Sequence, residues 1–233
     1  MIFDTTVRVS AHLGPLADET FEAVIFDMDG TLIDSTPAIT RAWTAWAAEH
    51  NVPVDRLGQH HGMPSANVVR ALLPDADGHD SAIERINALE LADVQDIVVL
   101  PGAAGALAAL RGAKNAIATS CSVPLAKARI AAAQLSSPSV LITADDVRRG
   151  KPAPDPFLEA ARRLGVDPSK CLVVEDAPPG VEAARAAGCR TLAVVTTTAR
   201  EKLIADAIVP NLSWVTFEVV QGRIRVHPAT PDS

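Results

Sequence analysis

The sequence is poor in the features that mark several large classes of protein. It holds three cysteines in 233 residues, and Cys121, Cys171 and Cys189 stand far apart, with no Cys-x-x-Cys pair among them. That spacing excludes a disulfide framework and the common zinc-binding patterns, and it fits small buried thiols in a reducing compartment. Basic residues are in the minority: 21 Lys and Arg against 28 Asp and Glu give a net charge of −7. A nucleic-acid binder ordinarily carries a basic patch or stripe, so nucleic acid is not an expected partner. No apolar stretch approaches the roughly 20 residues that span a bilayer. The first residues, with Asp4, Arg8 and His12, lack the pattern of a signal peptide. No membrane partner is expected, and the expected location is cytoplasmic. Internal repeats and low-complexity linkers are missing as well.

What is present is a hydrophobic fraction of 48%, enough for one α/β core and a small second unit. Strand-like runs are expected at Ala23 to Phe26, Asn115 to Thr119, Val140 to Thr143, Cys171 to Glu175 and Thr191 to Val195. Helices are expected at Ala103 to Leu110, Pro124 to Leu135, Pro156 to Leu164 and Val181 to Ala187. This alternation gives an α/β fold, a doubly wound parallel sheet covered on both faces. Trp214 to Val220 and Arg223 to Val226 flank Gln221-Gly222 and read as a hairpin, followed by a frayed tail from His227. Residues 1–20 form a leader, with one candidate strand at Thr5 to Ser10. Asp34-Ser35-Thr36-Pro37 and Val98-Val99-Leu100-Pro101-Gly102 punctuate the pattern as hinge and return linker. Between them, Pro37 to His50 carries Ile39, Trp43, Trp46 and Ala47 at helical spacing, and both tryptophans are read as packing residues.

The chemistry concentrates at strand ends. Ala23-Val24-Ile25-Phe26-Asp27-Met28-Asp29-Gly30-Thr31 is a buried strand that breaks into two carboxylates and a glycine. Open parallel sheets bind ligands at that end. Two acids in one small volume repel unless a cation binds or one keeps a proton, which points to a divalent metal site, an acid/base pair, or both. Taken alone, the spacing is also that of a polar strand-to-turn exit. Three further segments change the balance: Ala118-Thr119-Ser120, small hydroxyls after a strand; Gly150-Lys151-Pro152, in a loop opening into a helix; and Val174-Glu175-Asp176, paired acids at another strand exit.

In this order, the four segments resemble the four motifs of the haloacid dehalogenase superfamily, a clan made up mostly of phosphatases. The resemblance spans roughly residues 21–195, and the insertion between the first and second motifs is similar to the small helical cap of phosphoglycolate phosphatase, sugar- and glycerol-phosphatases and β-phosphoglucomutase. It implies a core of residues 21–34 and 101–233 and a cap of residues 35–100. It also implies a Mg²⁺-dependent phosphatase acting on a small phosphorylated metabolite, of the sugar or polyol phosphate class. In that reading Asp27 is the nucleophile that forms an aspartyl-phosphate, Asp29 the general acid and base, and Lys151 the cation that offsets charge. Asp27, the Asp29 carbonyl, Asp176 and Glu175 hold Mg²⁺, while Ser120 and the Cys121 backbone N–H bind the phosphoryl oxygens. His61, Gly62 and Asn67 face the substrate from the cap.

Within the clan, Asp29 favours phosphate esters, because an alkoxide leaving group needs a proton and a halide does not. No lysine stands between Thr31 and Pro101, which argues against the members that cleave carbon–phosphorus bonds through a cap lysine. Ile39 precedes Arg41-Ala42-Trp43 where mutases carry a histidine, so hydrolysis is preferred over phosphoryl transfer between sugar hydroxyls. A β-phosphoglucomutase-like transferase and a non-catalytic binding protein on the same fold are the alternatives.

Overall fold

The computed structural model describes residues 11–59, 62–74 and 77–229. The first apolar run forms β1 (Ala23–Phe26), which leads through β2 (Ile33–Asp34) into α1 (Thr36–Glu49), α2 (Ser65–Leu72) and α3 (His79–Ala92), then back through β3 (Val98–Val99). There follow α4 (Ala103–Ala109), β4 (Lys114–Ala118), α5 (Val123–Ala132), β5 (Val140–Ile142), α6 (Asp155–Leu164), β6 (Cys171–Glu175), α7 (Pro178–Ala186), β7 (Arg190–Val194), β8 (Ala207–Val209), β9 (Val215–Val220) and β10 (Arg223–Pro228).

Six strands form one parallel sheet in the order β5-β4-β1-β6-β7-β8. All four residues of β1 are buried, as a strand covered on both faces requires. Val24 and Phe26 join one apolar cluster with Leu107 of α4 and Phe217 of β9. Ala23 and Ile25 join the opposite one with Phe157 of α6 and Ala183 of α7, as the period of two along a strand dictates. Phe26 pairs with Ile117 of β4 on one side and Val174 of β6 on the other. From β1 the chain builds outward through β4 and β5, then returns to place β6, β7 and β8 on the far side. Strand order therefore reverses beside β1, and the crevice at its carboxyl end is where such sheets bind ligands.

The three helices between β2 and β3 have a core of their own, with Ala42, Trp46, Val69, Leu72, Ala82 and Ile86 at its centre. Trp46 is fully buried and its indole N–H donates to the Ala82 carbonyl at 2.9 Å. The chain enters and leaves this unit side by side, with Ile33 paired to Val99 and Asp34 to Val98 in antiparallel register. No helix among the described residues is long and apolar enough to cross a membrane.

Several details differ from expectation. The buried residues of α1 are Ala38, Ala42, Trp46 and Ala47; Ile39 lines the cavity, and Trp43 lines it too while packing against the helical core as expected. Leu13 and Leu16 are buried in the main core, so the expected leader is tied down from Leu13 onward; its candidate strand at Thr5 to Ser10 lies outside the described residues. The expected tail is strand as far as Pro228, because Ile224 and Val226 continue the alternation and His227 and Pro228 still pair with Thr216 and Val215. The hairpin turns on Gln221 and Gly222, both at positive φ, as its two-residue loop requires. Strand β8 and helix α3 had no counterpart in the sequence reading.

Candidate active site

The end of β1 delivers Asp27 into a buried cluster of charge. Lys151 Nζ donates to Asp27 Oδ1 at 2.5 Å and to Glu175 Oε1 at 2.6 Å, and all three side chains are nearly inaccessible. The other Glu175 oxygen accepts the backbone N–H groups of Asp176 and Ala177 at 2.9 and 3.0 Å. Asp176 accepts from the Thr31 hydroxyl at 3.2 Å and from the Thr197 hydroxyl. Two glycines make room for these acids. A Cβ on Gly180 would lie 1.7 Å from Glu175 Oε1, and one on Gly30, at φ +84°, would lie 2.3 Å from Asp176 Oδ2.

Burial pushes the Asp27 carboxyl well above the ordinary carboxylate range; Lys151 opposes this, and Glu175 and Asp176 add to it. Glu175 is raised for the same first reason, again against Lys151. Burial alone would lower the Lys151 ammonium, but the carboxylates of Asp27 and Glu175 outweigh it and hold Lys151 above the usual lysine value. Two buried carboxylates thus share one ammonium, with the buried Asp176 carboxylate beside them. Ligand oxygens of Asp27, Glu175 and Asp176 lie within 4.8 Å of one another. An all-oxygen donor set with excess negative charge fits a hard divalent cation such as Mg²⁺.

Asp29 leaves this cluster for a second one. Its Oδ1 accepts from Ser35 Oγ at 2.6 Å and from Arg129 Nη1 at 2.9 Å, while Oδ2 faces Cys121 Sγ at 3.1 Å and Thr119 Oγ1 at 3.4 Å. Arg129 comes from α5 and its other terminal nitrogen donates to Glu90 Oε1 of α3 at 3.1 Å. Burial opposes the Arg129 charge, yet Asp29, Cys121 and Glu90 together raise its pKa and keep it a guanidinium. Burial, with the Asp29 carboxylate beside it, pushes the Cys121 thiol well up, so it stays a neutral donor.

Between the sheet and the helical unit lies a cavity of about 340 Å³, floored by Asp27, Asp29, Thr119 and Ser120 and roofed by Ile39, Trp43, Met63, Val68, Asn87 and Glu90. Its size suits a small metabolite. The roof is seated on the floor: Ser120 Oγ donates to the Gly62 carbonyl at 3.0 Å, and a Cβ on Gly150 would lie 2.3 Å from Pro64 Cγ.

The structure therefore gathers Asp27, Lys151, Glu175 and Asp176 in one place, with Asp29 beside them on the cavity floor. Ser120, Cys121 and Gly62 also line the cavity. The Ser120 hydroxyl, expected on a phosphoryl oxygen, is given to Gly62, and the Cys121 N–H is given to Thr119 Oγ1 at 3.2 Å. Thr119, one residue earlier, is the hydroxyl that faces Asp29. Asn67 does not line the cavity; α2 presents Ser65 and Val68 instead, and at 100° per residue Asn67 points away from that pair. His61 lies outside the described residues.

Arg129 and Glu90 were not singled out from the sequence, although a signal existed. The buried residues of α3 are Ala82, Ile86 and Glu90, and those of α5 are Leu125, Ala126 and Arg129. A charged residue that completes an apolar row at helical spacing is a buried charge, and buried charges seek partners.

The sequence matches the haloacid dehalogenase-like hydrolase family over residues 21–188. It is 43% identical to hexitol phosphatase A of Escherichia coli over 175 residues, which cover 73% of this chain and 81% of that enzyme. It is 34% identical to glycerol-1-phosphate phosphohydrolase 1 of Saccharomyces cerevisiae over 75% of either chain. Among solved structures, a hydrolase from Pseudomonas syringae superposes with a TM-score of 0.72 at 28% identity, covering 79% of this chain and 89% of that one.

Proposed function

Since the chain belongs to the haloacid dehalogenase-like hydrolase family, we propose that it is a Mg²⁺-dependent phosphatase of sugar or polyol phosphates that works through an aspartyl-phosphate on Asp27. The observation that carries this reading is the position of Asp27, at the carboxyl end of the central strand, 2.5 Å from Lys151 and within one acidic cluster with Glu175 and Asp176. Relatives that act on hexitol and glycerol phosphates support the substrate class.

An Asp27 carboxylate oxygen attacks phosphorus, the new O–P bond forms, and the bond to the ester oxygen breaks. Asp29 delivers a proton to that departing oxygen. In the second half Asp29 takes a proton from water as the water attacks the phosphorus of the aspartyl-phosphate, releasing inorganic phosphate and freeing Asp27. Lys151, held as an ammonium against Asp27, offsets charge on nucleophile and phosphoryl group. Asp27, Asp176 and the Asp29 carbonyl would hold Mg²⁺, with Glu175 directly or through water. When bound, the ion supplies the positive charge that lets an anionic carboxylate approach a phosphate dianion. The helices of residues 35–100 act as a cap that covers the leaving group and limits water. Ile39 lines the cavity as an apolar wall where mutases would place a histidine, which favours hydrolysis over re-transfer.

The purified protein with Mg²⁺ is expected to release phosphate from hexitol and glycerol phosphates, and more slowly from p-nitrophenyl phosphate. No release from any phosphate ester across a broad metabolite panel would contradict the reading and favour a binding role.

A further inference from the structure

Arg129 joins the roof of the cavity to its floor. The side chain is 2% exposed, and one guanidinium spans Asp29 at 2.9 Å and Glu90 at 3.1 Å. The Glu90 side chain is 8% exposed, and Trp43 lines the cavity beside it. Glu90 therefore stands one guanidinium's width from the acid that, in the reading above, protonates the ester oxygen. With the ester oxygen at Asp29, the carbon next to it would be the part of a substrate nearest Glu90. One turn back on α3, Asn87 also lines the cavity, and its Oδ1 accepts from Ser65 Oγ at 2.9 Å, which leaves the amide N–H₂ end as a donor. A carboxylate acceptor beside an amide donor matches hydroxyl groups, which both donate and accept. With Asp29 holding the proton it delivers, the Arg129 charge is already matched by Glu90. A leaving group that carries its own carboxylate would add a second anion beside Glu90.

We propose that Glu90, fixed by Arg129, is a specificity-determining residue that accepts a hydrogen bond from the hydroxyl next to the ester oxygen and excludes leaving groups bearing a carboxylate. This inference rests on the phosphatase reading and deepens it: the substrates are esters of neutral polyhydroxy compounds, and phosphoglycolate-type esters are rejected.

The test compares kcat/KM for sorbitol 6-phosphate and for phosphoglycolate in the wild type and in Glu90→Gln, with thermal unfolding checked for both. The wild type is expected to prefer the polyol ester by more than about 100-fold, and Glu90→Gln to lower that ratio by about 30-fold or more, through a higher KM for the polyol ester and faster turnover of phosphoglycolate. A wild-type ratio near unity, or a ratio within about 3-fold of wild type in the variant, overturns the proposal. If Glu90→Gln does not fold, Glu90→Asp carries the test, because it keeps the charge and withdraws it by one methylene. Rejection of phosphoglycolate should then persist while the polyol KM rises about 10-fold; an unchanged polyol KM overturns the proposal. A wild-type protein that hydrolyses neither ester nor any other would instead remove the phosphatase reading itself.

Discussion

Asp27→Asn is expected to lower phosphate release by at least about 10⁴-fold on every ester, with kcat carrying the loss. The amide keeps the shape of the side chain but offers no anionic oxygen to phosphorus, and no neighbouring acid can replace it. Glu175 gives one oxygen to Lys151 and the other to two backbone N–H groups, and Asp29 is turned to Ser35 and Arg129. The variant should fold. Asn removes one of three carboxylates clustered together and leaves Lys151 paired with Glu175, so its melting temperature is expected to equal or exceed that of the wild type, since the charge it deletes is one that burial disfavours. Steady-state kinetics with thermal unfolding checks both halves. Retained turnover in pure Asp27→Asn would remove the covalent route.

Chelation is expected to have the second-largest effect, a loss of at least about 10³-fold in turnover that Mg²⁺ restores. A readout independent of turnover follows from mass action, since an ion that binds only the folded chain raises the melting temperature with its concentration. The sign of the pH dependence is also fixed. In the metal-free protein Asp27 and Glu175 are both held above the ordinary carboxylate value, chiefly by burial, so the folded chain binds protons more tightly than the unfolded one. The stability these groups contribute is complete below the unfolded-state value of about 4 and is lost as pH rises through their elevated folded-state values. The contribution of these two acids to the stability of chelated protein should therefore decline from about pH 4 upward through that window, and the increment given by Mg²⁺ should grow over the same interval. A Mg²⁺ increment that stays flat with pH, or none at all, would argue against these acids as the ligands.

The core chemistry was legible because each element of it ends a buried strand. An apolar run cut short by Asp27, or by Glu175 and Asp176, can be read without partners, since strand burial and the carboxyl-end crevice are general properties of parallel sheets. Lys151 was legible through its Gly and Pro neighbours. The different surroundings of the Thr119 and Ser120 hydroxyls, one facing Asp29 and the other the Gly62 carbonyl, were not, because successive residues at a strand end point to opposite faces. Arg129 and Glu90 were hidden for a different reason. Both sit on helices, where a charged residue ordinarily points to water; the apolar rows they complete mark each as buried, but only the apposition of α3 and α5 reveals that the two meet. Asn67 failed in the opposite way: its type suited a substrate ligand, but the phase of α2 was set by Val68, Val69 and Leu72 packing into the helical core. Trp43 packs against the helical core and edge-on to Trp46, as read from the sequence, and it also lines the cavity with Ile39, because Ala38, Ala42 and Trp46 claim the buried face of α1.

The central claim is that Asp27 carries a phosphoryl group for part of each cycle. Its most direct test is a crystal structure of the wild-type protein grown with Mg²⁺ and beryllofluoride, a mimic of the phosphorylated carboxylate. The account predicts a beryllofluoride adduct on an Asp27 carboxylate oxygen, with a cation bound by Asp27 and Asp176. Beryllofluoride bound to any other side chain, or an unmodified Asp27 beside an empty cation site, would contradict it.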